Sequence, residues 1–365
     1  MDTTPDLLLE MLRGYFRKKN SSANFLYPKN EKVLRLAYQH GIGLIIGSIM
    51  QLDRKERLVN HILAQKNVKR YYENFIHFNP VSQELEKDNI KYIITKGVYI
   101  AKKAYLDEGY RSSEDLDVII KREDYSKVKE FLLLHGYKQA IYDQERKEIV
   151  EFSRQQELFY LSFTQQSAPF LKITGNDLVP VVNIDLNFSI YWDKNQEWNI
   201  DKLINNAQVF KYKGYKVKTF QDEYMLLHMC LHAYYDLNSV YVLYKSYSYR
   251  LKYFADIYGF VQHVKISWEK FQNICIVYKV EKYIMYILFY TARIFHDKTL
   301  LSNMDLEIPS DFFLNSFGLA NEGEYVWREN FMERLFCGNR ENLINKYLLD
   351  EIKNKINQGR YLEGL

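Results

Sequence analysis

Apolar residues recur with a helical period over residues 5–88, beginning with Leu7, Leu8, Met11, Leu12, Tyr15 and Phe16. Residues 33–51 continue the pattern, although Gly41, Gly43 and Gly47 argue against one unbroken helix. Residues 58–85 form a long amphipathic stretch, and Pro80 predicts an interruption near its end. The texture changes at Asn89. Ile90, Lys91, Tyr92, Ile93 and Ile94 are short-range, branched and aromatic, which predicts a strand. Thr95, Lys96 and Gly97 then form a turn, followed by a helix to about Tyr105. A polar loop over 106–114 leads into a second strand over 115–120, and residues 122–135 are helical, with Gly136 placed to end the helix. Strand, helix, strand and helix within about fifty residues make a compact α/β unit.

Two further segments are predicted as strands. Within 137–168, where the pattern suggests further strands, residues 158–163 are rich in Leu, Phe and Tyr. Over 181–189, Val182, Ile184, Leu186 and Phe188 alternate with Asn183, Asp185, Asn187 and Ser189, the cleanest period of two in the chain. Asp185 therefore belongs to a polar strand face. From Phe220 onward the pattern is helical again, over 222–235, 246–263, 268–295 and 339–357. The organisation expected is α+β: an N-terminal helical layer over 1–85, a core of strands and helices over 86–215 and a C-terminal helical domain over 216–365.

The candidate chemistry starts at Asp115 and Asp117. Residues two apart on a strand share a face, so the two carboxylates stand side by side. Like charges so placed repel, and burying them unpaired is costly. A divalent cation resolves both problems. Magnesium takes carboxylate oxygens together with substrate phosphates. A third carboxylate on a neighbouring strand, for which Asp185 is the candidate, completes a site for two ions that clamps an in-line displacement. Asp-x-Asp alone has a bland alternative, a solvated strand face, and the polar face of 183–189 has the same one.

The wider setting favours the chemical alternative. A strand, Lys96 and Gly97, a helix, a loop with Tyr110 and Arg111, then Glu114, Asp115, Leu116, Asp117 and Val118 and a following helix resemble the DNA-polymerase-β-like nucleotidyltransferases. More narrowly, the order is similar to a bacterial family of uncharacterised nucleotidyltransferases. Asp185, Leu186, Asn187 and Phe188 match its later strand. Leu226 to His232 match a helix with a closing His, and Arg250 to Ile257 match a later helix with an Asp. The resemblance spans about residues 5–300. It departs at three places: Lys96-Gly97 stands where the superfamily usually has Gly-Ser or Gly-Gly, the interval from that turn to Asp115 is longer than the superfamily norm, and Asn187 stands where the usual residue is His.

The resemblance implies a polymerase-β-like core over 86–215 and transfer of NMP, with AMP expected, from an NTP to an acceptor, releasing pyrophosphate. It implies two Mg2+ ions on Asp115, Asp117 and Asp185, and a triphosphate steadied by Lys96, Gly97 and Arg111. ATP is the expected NTP. A non-catalytic nucleotide- or partner-binding module that keeps the fold is the alternative, and a phosphotransferase a third. His228 and His232, four apart on one helix, lack a third ligand in sequence and read as core or hydrogen-bonded histidines. Asp256 either meets the substrate or pairs with Lys252 on its own helix.

Composition narrows partners and compartment. Nearly half the residues are apolar (47%), ample for a buried core. The 32 Tyr and 22 Phe would offer stacking platforms for bases only with basic residues interleaved on one face, which the sequence does not present. A net charge of +4 is too weak to point to nucleic acid, so a small-molecule, peptide or protein acceptor is favoured. Cys230, Cys275 and Cys337 lie far apart among apolar neighbours, as reduced core thiols do. No basic region precedes the first apolar run, and no apolar run approaches the ~20 residues that span a bilayer. A cytoplasmic protein without membrane association is expected.

Overall fold

A computed structural model describes residues 3–18, 26–192, 200–244, 249–319, 322–348, 350, 352–354, 356 and 357. The fold is α+β, a large mixed sheet with flanking helices. The chain divides into two compact units, each drawn from segments distant in sequence. One comprises Met1–Gln65, Ile100–Ser112 and Leu226–Leu349, and the other Lys66–Tyr99, Ser113–Met225 and Asp350–Leu365.

The second unit holds the sheet. Its strands are β1 (Tyr92–Thr95), β2 (Asp115–Ile120), β3 (Lys138–Asp143), β4 (Glu148–Glu151), β5 (Phe170–Asn176), β6 (Val179–Asn187), β7 (Ala207–Tyr212) and β8 (Tyr215–Phe220). They lie in the order β4-β3-β5-β6-β2-β1-β8-β7. β2 is parallel to β6 and antiparallel to β1, and β1 is parallel to β8. Alternation explains the position of β6. Val182, Ile184 and Leu186 are fully buried, while Asn183, Asp185 and Asn187 between them keep some exposure. Each buried aliphatic side chain contributes about 1.5–3 kcal/mol. A slip of one residue would reverse the faces, so the apolar set fixes the register that displays Asp185.

Three elements differ from the pattern prediction, one of them the stretch over 268–295, which left-handed Lys279 splits into the helices Trp268–Tyr278 and Glu281–Phe295. Residues 158–163 belong to a helix, Arg154–Phe163, and not to a strand. The Ser153 hydroxyl accepts from the Gln156 backbone N–H, and the Gln156 side chain accepts from the Ser153 backbone N–H. This reciprocal cap starts a helix, and the aromatic run that would suit a strand is carried along behind it. Pro80 lies inside the continuous helix Arg54–Lys87 without ending it. An internal proline costs about 3 kcal/mol. Phe78, Val81 and Leu85 around it are fully buried, and together they outweigh that cost.

The first unit is mostly helical. Gly41, at φ +71°, separates the helices Glu31–Gln39 and Gly43–Ser48. Leu251–His263 and Glu281–Phe295 carry an aromatic cluster in which Tyr258 stacks on Phe295 at 3.9 Å and Phe16 meets Phe295 edge-on. Of the predicted helix over 246–263, residues 246–248 fall outside the described residues, as does part of 339–357. All three cysteines are free thiols, Cys230 and Cys275 buried and Cys337 half-buried. Among the described residues no helix is long and apolar enough to cross a membrane.

Candidate functional site

β1 runs directly into a turn with an unusual backbone. Lys96 has φ +52° and Gly97 φ +43°, both left-handed, and the helix Gly97–Ala104 begins there. A left-handed backbone costs a side-chain-bearing residue about 1–2 kcal/mol, so Lys96 is held in a strained conformation. Glycine relieves the second position. A Cβ on Gly97 would meet nothing within 4 Å, so any cost of adding one is conformational. Gly97→Ala should therefore lower stability by about 1 kcal/mol, read as a reduced urea midpoint with unchanged slope. A stabilised variant would mean that this turn is not left-handed.

The carboxylates come together by strand register. Asp115 and Asp117 lie on β2, and Asp185 on β6 stands directly beside Asp117 in the parallel pair. One oxygen from each of the three lies within 4.8 Å of the other two. Among the described residues this is the one group of three or more His, Cys, Asp or Glu side chains so placed. All three are half-buried. Lys96 Nζ is 3.5 Å from Asp117 Oδ2. Asn187 Nδ2 donates to Asp117 Oδ1 at 3.5 Å and to the Asp185 carbonyl at 3.2 Å. Ser113 Oγ donates to Asp115 Oδ1 at 3.4 Å.

One ammonium cannot neutralise three carboxylates. Burial, then Asp115, then Asp117, push the Asp185 carboxyl well above the usual carboxylate range, and Lys96 opposes the shift. Negative charge is therefore unfavourable at this spot until a cation arrives. The donor set is all oxygen, which suits a hard divalent ion such as magnesium, so the residues present fit the ion the resemblance implies.

Of the expected site residues, Asp115, Asp117, Asp185, Lys96 and Gly97 belong to the second unit. Arg111 falls in the first. There it is buried, its Nε and Nη2 donating to the two oxygens of Asp256 at 2.9 and 3.0 Å. Tyr105 donates to the same carboxylate, and Lys252 Nζ donates to the Ser112 carbonyl. Asp256 thus pairs with Arg111. His228 is buried on the helix Asp222–Asn238, and His232 Nδ1 is 3.5 Å from Asp236 Oδ2. The residue pattern did not single out Thr95 or Asn183 as functional. Yet Thr95 is the register partner of Asp117, and Asn183 that of Asp115. For Asn183 the available signal was its place on the polar face of β6, two residues before Asp185.

With this geometry in place, comparison with known proteins gives two findings. A family model described as "Uncharacterised nucleotidyltransferase" matches residues 28–296, a span that includes the three carboxylates and the Lys96-Gly97 turn. No curated protein matches the chain.

Proposed function

The chain belongs to the uncharacterised nucleotidyltransferase family, and we propose that it is a magnesium-dependent enzyme moving NMP, with AMP expected, from an NTP to an acceptor. The observation that carries the proposal is the convergence of Asp115, Asp117 and Asp185 within 4.8 Å, beside Lys96 at a helix start. An acceptor oxygen bonds to the α-phosphorus as the bond from that phosphorus to the β-bridging oxygen breaks. The electron pair leaves with pyrophosphate, and the acceptor's proton passes to solvent. Asp115 and Asp117 would hold both magnesium ions, and Asp185 would hold the ion that serves the acceptor. Bound magnesium supplies the positive charge that offsets charge building on the phosphoryl oxygens.

The chain's own residues do the positioning. Lys96 meets phosphate as a point charge, and the backbone N–H groups at the start of Gly97–Ala104 offer an anion site. The Arg111–Asp256 pair acts as a structural clamp within the first unit. The near-neutral charge supports a small-molecule, peptide or protein acceptor over nucleic acid. Three free thiols support a cytoplasmic setting.

Nucleotide binding should depend on the divalent ion, because the triphosphate must enter where carboxylates already stand. A ligand that binds only the folded state adds about 2.7 kcal/mol of apparent stability at a hundred times its dissociation constant. Magnesium with ATP should therefore raise the melting temperature well above ATP with a chelator. Equal shifts in both conditions, or no shift with any NTP, would contradict the proposal.

A further inference from the structure

The carboxylate face carries two more oxygens. Thr95 on β1 stands opposite Asp117, and Asn183 on β6 stands beside Asp115. Register partners on adjacent strands put their side chains on the same side of the sheet. Thr95 and Asn183 therefore flank the aspartates of β2 from its two neighbouring strands. Thr95 is 1% exposed. Thr95 Oγ1 and Asn183 Oδ1 are both buried, and neither makes a hydrogen bond.

Such atoms are costly. A buried polar atom without a partner bears the full penalty of its lost hydration. Nearby groups do not relieve them. Ionised carboxylates offer nothing to the amide oxygen of Asn183, which only accepts, and none is hydrogen-bonded to the Thr95 hydroxyl, which can donate as well as accept. The Lys96 ammonium and the Asn187 amide are both turned to Asp117. The face is oversupplied with acceptors, on three adjacent strands, around a place that fits a divalent ion. Magnesium gives up its water reluctantly and usually keeps several molecules when it binds through one or two carboxylates. Each of those waters brings hydrogens to donate.

Resting on the magnesium site read above, we propose that Thr95 Oγ1 and Asn183 Oδ1 accept hydrogens from the hydration water of the ion held by Asp115, Asp117 and Asp185. They are positioning residues. They touch neither phosphate nor protein ligand, and they fix the water through which the ion is seated. Groups in this role typically contribute 10–100-fold to metal affinity.

The test uses manganese(II) with nucleotide-free protein, the free ion being counted by electron paramagnetic resonance. Thr95→Val and Asn183→Leu should each weaken manganese affinity by about 10–100-fold. Their melting temperatures in chelator should equal or exceed that of the wild type, since neither oxygen loses a bond. A merely structural role would give the opposite pair of results, unchanged affinity and a lower melting temperature, and would overturn the proposal. If Asn183→Leu does not fold, Asn183→Ala takes its place. Asp115→Asn separates the two levels of inference. Should it bind manganese like the wild type, the carboxylate site itself is wrong. Should it lose the ion while both Thr95→Val and Asn183→Leu retain full affinity, only the water-holding role fails.

Discussion

Asp115→Asn and Asp117→Asn should each reduce NMP transfer by about a thousandfold or more while leaving the protein folded. The substitution keeps shape and removes a charge that holds metal. Metal-based charge stabilisation supplies several kcal/mol at the transition state, and each 1.36 kcal/mol is tenfold in rate. The effect on stability should run the other way. Asp115 and Asp117 help to push the Asp185 carboxyl above its usual range, so ionised Asp185 burdens the metal-free fold. A carboxyl raised in the folded state lends stability that is full below its unfolded pKa and is lost as pH rises through its folded pKa. Metal-free wild type should therefore weaken as pH climbs from the ordinary carboxylate range toward the raised value of Asp185. Removing a neighbouring charge should flatten that fall. Melting curves in chelator across pH, set beside single-turnover transfer, test both halves. Near-wild-type transfer by either variant would exclude that residue as a metal ligand. A loss of several degrees in chelator would make it a stabilising structural contact.

Asp185→Asn should separate binding from chemistry. Asp185 reaches the cluster from β6, whereas Asp117 of β2 stands 3.5 Å from Lys96, the proposed phosphate contact, at the start of the helix Gly97–Ala104. In the proposed scheme its ion serves the acceptor, and the other travels with the triphosphate. The rate constant for transfer should then fall by orders of magnitude while magnesium-ATP affinity changes little, the pattern of an interaction made chiefly in the transition state. Calorimetry and single-turnover kinetics on one preparation measure the two quantities. Intact transfer would reduce Asp185 to a hydrogen-bonding group on a polar sheet face. Lost ATP affinity in a folded variant would move it to the nucleotide's own ion.

Local pattern made parts of this architecture legible. The alternation of Val182, Ile184, Leu186 and Phe188 with polar residues announced β6 and the face of Asp185, because a half-buried strand requires a period of two. That Asp185 lies in register with Asp117 was not legible from period alone. Parallel pairing is a tertiary event between segments nearly seventy residues apart, and the family resemblance supplied that expectation. The helix Arg154–Phe163 was misread because its aromatic run outweighed a quieter signal, Ser153 followed three residues later by Gln156. Arg111 lies beside the aspartates in sequence, and its pairing with Asp256, 145 residues away on a helix whose packing no local pattern encodes, was not legible. The strain at Lys96 was equally hidden, since a left-handed lysine has no signature beyond the glycine that follows it.

The most direct test of the central claim, that these carboxylates support nucleotidyl transfer, is a label-transfer assay in cell extract. Wild type and Asp117→Asn would be supplied with magnesium and each of the four NTPs, labelled in parallel at the α- or the γ-phosphate. Wild type should pass the α-label to an acceptor whose mass grows by one NMP, with release of pyrophosphate and complete dependence on the divalent ion, and Asp117→Asn should pass none. Transfer of the γ-label instead, or α-label transfer that survives in Asp117→Asn or in chelator, would contradict the account.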